Sequence, residues 1–225
     1  MSEGVPQGRR ERQKLRHTTV RTSAGSRRVV RGPGAGVEPM RAIDVLTRDH
    51  ERIQTVLALV EQGMRELGTS GPVDTDAWFD LLQLCEAWVD RAHVLKEEEG
   101  LFPLLRSRGL GPEVTVVAAL MSQHQTGQAF LRQWRKAVER LAAGDESARQ
   151  DVIVWARDYV ELLREHMRIE DHYFYELADG TLTAGDDEAL LEKFERIDRT
   201  IGATLEQQRR WVAMVAARPG SSRPH

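Results

Sequence analysis

This 225-residue chain holds little that would support a disulfide, a membrane span or a β-sheet. Its single cysteine, Cys85, excludes an intramolecular disulfide framework and a cysteine-ligated zinc finger. Such sparing use of cysteine favours a reducing, cytoplasmic setting. Aromatics make up 6% of the residues, with 18 glycines and 8 prolines, so collagen-like and low-complexity readings fall away. The best apolar run, Val114 to Met121, is far short of the roughly 18 residues of a spanning helix, and no membrane partner is expected. No segment alternates polar and apolar residues as a half-buried strand would.

A surplus of one charge is also lacking: 32 Lys and Arg face 35 Asp and Glu, a net of −3. That sum conceals an asymmetry. Residues 1–39 carry nine basic and three acidic side chains, a net of +6, which leaves −9 for the rest. Residues 1–39 have few large apolar residues and no periodicity, so a disordered basic tail is expected. No apolar stretch follows Arg9-Arg10 or Arg27-Arg28, so a secretory or twin-arginine leader is not expected. The tail lacks interleaved aromatics, and nucleic acid is not an expected partner. Met40 stands directly before the first helical pattern, and the tail reads as an upstream extension without a task. Residues 218–225 form a short disordered end.

The body has plenty of one pattern: apolar residues spaced by three and four, the mark of amphipathic helices. Turn signals at 68–74, 107–112, 143–147 and 179–187 divide it. The spacing predicts helices over about Pro39 to Leu67, Asp76 to Arg106 with Thr75 as N-cap, Pro112 to Ala142, Glu146 to Ala178 and Asp187 to Ala217. Short loops between long helices favour antiparallel neighbours. The expected fold is all-α: an up-down-up-down four-helix bundle over 40–180, with an appended C-terminal helix within 181–217. The fifth helix carries the stripe Leu190, Phe194, Ile197, Ile201, Leu205, Val212 and Val215, read as core packing.

Placing residues at 100° per step puts one histidine in the apolar stripe of each bundle helix: His50, His93, His124 and His166. Two stripes add a carboxylate four residues later, Glu97 and Glu170. In an up-down bundle all four histidines fall about 16–20 Å below the same rim. Buried carboxylates without partners are costly, and a metal cation removes that cost. Six N/O donors without thiolate suit iron or manganese, and tolerate zinc. The Glu-x-x-His pattern of ferritin-like di-iron bundles is absent, since Thr47, Asp90, Met121, Leu163 and Ile169 stand three places before the body histidines. Four further residues lie near these stripes. Glu86, Tyr159 and Tyr173 are weighed as site neighbours against ordinary packing, and Gln128 as a hydrogen-bond donor to a bound oxygen species. Glu98, Glu99 and His172 fall outside the stripes and are read as surface, and Cys85 as a small core residue.

The stretches AIDVLTRDHERI (42–53), HVLKEEEGLFPLL (93–105), MSQHQ (121–125) and HMRIEDHYFYELAD (166–179) resemble the hemerythrin-like, or HHE cation-binding, family. The resemblance implies a non-haem di-iron centre. His50, His93, Glu97, His124, His166 and Glu170 would be its ligands, and the two glutamates its bridges. The sequence departs from the oxygen carriers, which have a second histidine on the third helix where this chain has Gln128. Their second bridge is an aspartate at the place of Asp171; Glu170 lies nearer the stripe centre and is preferred. Four imidazoles, two bridging carboxylates and one bridging oxygen leave about two coordination positions open. The expected role is therefore binding or sensing of O2, peroxide or NO. The alternatives are a di-iron enzyme (peroxide disproportionation or an oxidase) and an interaction module with a basic arm.

Overall fold

The computed structural model describes residues 41–69, 71–110 and 115–202, together with Ala213. Among the described residues there are five helical rods and no strand. The first, α1, is Ala42–Leu67. The second, α2, begins as Thr75–Leu84, passes through π-helical turns at Cys85–His93 and Lys96–Leu101, and ends as Phe102–Ser107. The third, α3, is Thr115–Ala142. The fourth, α4, runs through Ala148–Ile169, a π turn at Glu170–Phe174, and Tyr175–Asp179. The appended helix, α5, is Ala184–Ile201. None of these helices is long and apolar enough to cross a membrane.

The expected boundaries hold with local corrections. Asp74, not Thr75, caps α2, because its carboxylate accepts the Ala77 N–H at 3.0 Å. The start of α4 moves from Glu146 to Ala148. α5 starts three residues earlier than its apolar stripe implies. There Thr183 and Asp186 form a reciprocal capping box, a signal that sat inside the segment read as a turn. α5 also stops earlier, at Gly202, whose φ of 68° is the left-handed conformation that ends helices. Leu190, Phe194 and Ile197 of its stripe are buried; Leu205, Val212 and Val215 lie outside the described residues, as do Pro39, Pro112 and the two tails.

Helices α1 to α4 pack around two apolar layers. The larger runs from Ile53 and Leu57 of α1 through Trp134 and Val138 of α3 to Tyr159 and Leu163 of α4. The smaller gathers Leu46, Leu101, Phe102, Leu120, Phe174 and Tyr175, and is closed by Leu190 and Phe194 of α5. The histidine level lies between these layers, so both neighbours of the polar centre are dry.

α5 is fastened to the bundle by charge as well as by packing. Arg41 Nε donates to Asp187 Oδ2 at 2.9 Å, and Arg108 Nη2 to Asp186 Oδ1 at 2.7 Å. The Phe194 ring rests on Gly100, where an added Cβ would meet its Cε1 at 2.9 Å, so only glycine permits this approach.

Candidate metal centre

The two carboxylates named from the sequence lie in the first turn of the π segments that shape the centre, Glu97 in Lys96–Leu101 and Glu170 in Glu170–Phe174. Phe102 N–H donates to the Glu97 carbonyl and Tyr175 N–H to that of Glu170, each five residues back. A wider turn places more successive side chains on one face than an α-helix does. Each π turn therefore directs its glutamate into the core and brings the next residue, still partly open to solvent, within reach of a histidine.

All six expected residues come together. Glu97 and Glu170 are 0% exposed, and His50, His93, His124 and His166 are 2–4% exposed. The Nε2 atoms of His50 and His93 lie 3.1 Å apart, and so do those of His124 and His166. Glu170 stands between the two pairs, with Oε2 3.2 Å from His50 Nε2 and Oε1 3.1 Å from His166 Nε2. Glu97 Oε2 is 3.3 Å from His124 Nε2 and 3.7 Å from His93 Nε2. Two donor groups result: Glu97, His124, His166 and Glu170; and His50, His93 and Glu170.

Partners behind the rings fix which nitrogen faces inward. His50 Nδ1 donates to Asp171 Oδ1 at 2.8 Å, His124 Nδ1 to Glu98 Oε1 at 2.8 Å, and His166 Nδ1 to Gln123 Oε1 at 3.0 Å. An Nδ1–H held this way leaves the Nε2 lone pair for a cation. His93 Nδ1 has no hydrogen bond and lies 4.0 Å from Asp49 Oδ2. Asp49 is held by Lys96 Nζ at 2.7 Å, and Lys96, 1% exposed, also reaches Asp198 of α5 at 2.8 Å.

Glu98 and Gln123 were not expected at the centre, and Asp171, the place of the carriers' second bridge, holds His50 from behind instead. Uniform 100° steps put Glu98 off the stripe and Asp171 behind Glu170, but the π turns change that phase. The signal was the repeated doublet, His-x-x-x-Glu-Glu and His-x-x-x-Glu-Asp. The same phase change corrects the tyrosines. Tyr173 is 61% exposed, whereas Tyr175 is buried and donates to Glu97 Oε1 at 2.7 Å. Glu86 faces away and is paired with Arg135 at 2.7 Å. Tyr159 packs on Trp134 in the larger apolar layer, with Cys85 in the same layer. Gln128 is half-buried and His172 is exposed.

The electrostatics suit a cation. Glu170 Oε1 and Oε2 and Glu97 Oε2 accept no hydrogen bond although they are buried, and all three aim at the space among the Nε2 atoms. Three unpaired carboxylate oxygens facing four imidazole nitrogens form a donor set for a borderline or hard metal ion. Without a metal, protons take its place. Burial lowers the His50 imidazole, but Asp171 and Glu170 outweigh it and raise it to about 10. His124 goes up to about 9, where burial is outweighed by Glu97 and Glu98. Burial holds His93 well below its ordinary value. Burial pushes Glu97 up, but the imidazoles of His93 and His124 outweigh this and bring it down.

A pH signature follows for the metal-free chain. Raised imidazoles stabilise fully below the free value of about 6.5, and that contribution is lost as pH rises through about 9 to 10. A bound metal needs those nitrogens deprotonated, so its own affinity increases over the same range. The gap in thermal midpoint between metal-loaded and metal-free protein is expected to widen from pH 6.5 to 10. A gap that stays constant across this range in differential scanning fluorimetry would contradict the assignment.

Comparison with known proteins decides the family. The Hemerythrin HHE cation binding domain matches residues 41–178, and again 115–222. The chain belongs to the hemerythrin HHE family. Its buried His/Glu cluster fits the metal site of a hemerythrin-type bundle. Uncharacterized proteins of Mycobacterium tuberculosis (strain ATCC 25618 / H37Rv) and Mycobacterium bovis (strain ATCC BAA-935 / AF2122/97) are each 25% identical over 157 residues. The alignment covers 70% of this chain and 61% of theirs, so the chain spans about three-fifths of the length of those relatives. No solved structure matches it.

Proposed function

We propose that this hemerythrin-type bundle holds two iron ions and binds or senses a small oxidant or diatomic ligand: O2, peroxide or NO. The observation that carries this is Glu170, which presents one unpaired oxygen to each of two histidine pairs. His50 and His93 would hold one iron, His124 and His166 the other, with Glu170 between them and Glu97 adding its free oxygen. Bound iron supplies one-electron redox change and open positions for a small ligand.

The chain supplies the rest. Asp171, Glu98 and Gln123 hold three imidazoles by their Nδ1–H groups. The apolar layers above and below exclude water and favour a small, weakly hydrated ligand. Phe102 stacks on His124 with ring planes 7° apart and covers that side. Manganese or zinc would fit the same donors less specifically.

Reduced, iron-loaded protein exposed in turn to O2, peroxide and NO is expected to show a reversible change in absorption with at least one of them. Rapid bleaching with loss of iron in every case would contradict a binding or sensing role. An enzymatic reading is favoured by one observation, the buried Tyr175 hydroxyl at the centre. It predicts steady-state peroxide decay that disappears in His166→Ala; equal rates in the two proteins would remove it. The third alternative, a basic arm acting on nucleic acid, concerns residues outside the described part. Salt-dependent DNA binding that is lost when residues 1–39 are deleted would revive it.

A further inference from the structure

The appended helix stands on one turn of α2. α5 packs against α1 and α2, and three of its contacts fall between Lys96 and Gly100. Lys96 Nζ pairs with Asp198 Oδ1 at 2.8 Å. Lys193 Nζ donates to the Glu99 carbonyl. In an α-helix the N–H four residues on would take that carbonyl, but Pro103 stands there and has none. The Phe194 ring and the Leu190 side chain lie over Gly100, so close that a Cβ there would stand 2.9 Å and 3.4 Å from them.

Glu97 belongs to this same turn and reaches the other way, to Tyr175 and His124 in the centre. Two more donors share the footing. Lys96 also holds Asp49, the residue before His50, and Asp49 Oδ2 lies 4.0 Å from His93 Nδ1. Glu97 is thus the neighbour of Lys96, His50 is the neighbour of Asp49, and His93 lies against Asp49. All three donors meet α5 through the one ammonium of Lys96.

We propose that α5 is the reporting element of the centre: metal binding tightens its docking, and metal loss releases it. A cation held by Glu97 Oε2, which accepts no hydrogen bond from the protein, fixes the Lys96–Gly100 turn from inside. α5 fixes the same turn from outside. A turn already ordered by metal costs less to order when α5 docks, and a turn already ordered by α5 presents Glu97 to the metal at less cost. By linkage these two effects are a single factor. α5 therefore carries the state of a buried centre to the surface, where its release uncovers the apolar face of Leu190, Phe194 and Ile197. The inference rests on the two-iron reading above and concerns occupancy of the centre, whichever small ligand follows.

The test uses the full chain, metal-free and loaded anaerobically with iron(II), and follows amide hydrogen exchange along it by mass spectrometry. Amides of Ala184–Ile201 are expected to exchange about tenfold more slowly once iron is bound, a usual size for coupling between two sites. The turn at residues 143–147, at the opposite end of the bundle, should not change. Phe194→Asp sets a charge over Gly100 and should undock α5, and its iron(II) affinity, measured against a chelator, should fall by the same factor. Gly100→Ala disturbs the same contact by one methyl group. In it α5 should exchange faster than in wild type, and iron should still slow that exchange; it decides the matter if Phe194→Asp does not fold. Exchange in α5 that is indifferent to iron would overturn the proposal, as would slowing no greater than at residues 143–147, or a folded Phe194→Asp that binds iron as tightly as wild type. Iron that fails to bind to wild type defeats the two-iron reading and this inference with it; iron bound without any change in α5 defeats this inference alone.

Discussion

Glu170→Gln is expected to abolish the two-metal centre while leaving the bundle folded. Glu170 offers a separate unpaired oxygen to each histidine pair, whereas Glu97 has a single unpaired oxygen. The amide keeps the shape of the side chain but removes its charge and turns one of its two acceptors into a donor. Loss of partners one shell further out already costs roughly 10–100-fold in metal affinity, so losing a shared ligand should cost at least about a hundredfold. Metal stabilises by mass action on the folded state, about 2.7 kcal/mol at one hundred times Kd, and that increment should vanish. The metal-free variant should melt close to metal-free wild type, because Asp171 still holds His50. Metal content after desalting and thermal midpoints with and without iron measure both effects. Two irons retained per chain in the variant would exclude Glu170 as the shared ligand.

Lys96→Met should be the most damaging single change away from the donors. The ammonium is buried between Asp49 at 2.7 Å and Asp198 at 2.8 Å, and joins α1, α2 and α5. Burial already raises Asp198. Removing the one cation that both carboxylates share leaves Asp49 to Arg52 at 2.8 Å and withdraws the buried ammonium from Asp198, and breaking a buried pair in this way costs about 3–5 kcal/mol. For a chain of this size that is a fall in thermal midpoint of roughly 10 °C. Amide exchange should quicken first in α5, and Asp198→Asn should cost far less, because Lys96 keeps Asp49. Comparable melting of Lys96→Met and wild type would show that packing of Phe194 and Leu190 alone secures α5. The same bridge passes within 4.0 Å of His93, so metal affinity is expected to fall along with stability.

Much of this was legible in the sequence, because it depends on helical periodicity. Four histidines at the stripe centres of four rods of similar length have few ways to avoid one another. The six donors needed only the rise and twist of an ideal helix, and the family resemblance agreed with them. The illegible part comes from departures from ideality. Three π turns alter the phase after Leu84, Leu95 and Ile169, and they exchange Tyr173 for Tyr175 and bring in Glu98 and Asp171. Nothing in the hydrophobic pattern marks a π turn; the hint lay in the doubled acids and in an aromatic nine residues after both His93 and His166. Lys96 escaped notice for a different reason. A lysine beside three glutamates reads as a solvated face until a fifth helix covers it, and that docking is a tertiary event.

The central claim is a pair of metals sharing one carboxylate. Its most direct test is the number of iron ions retained per chain after anaerobic loading and desalting, with a Mössbauer spectrum of the oxidised protein. Two irons per chain, magnetically coupled once oxidised, is the predicted result. One iron per chain, or two uncoupled irons, would contradict it.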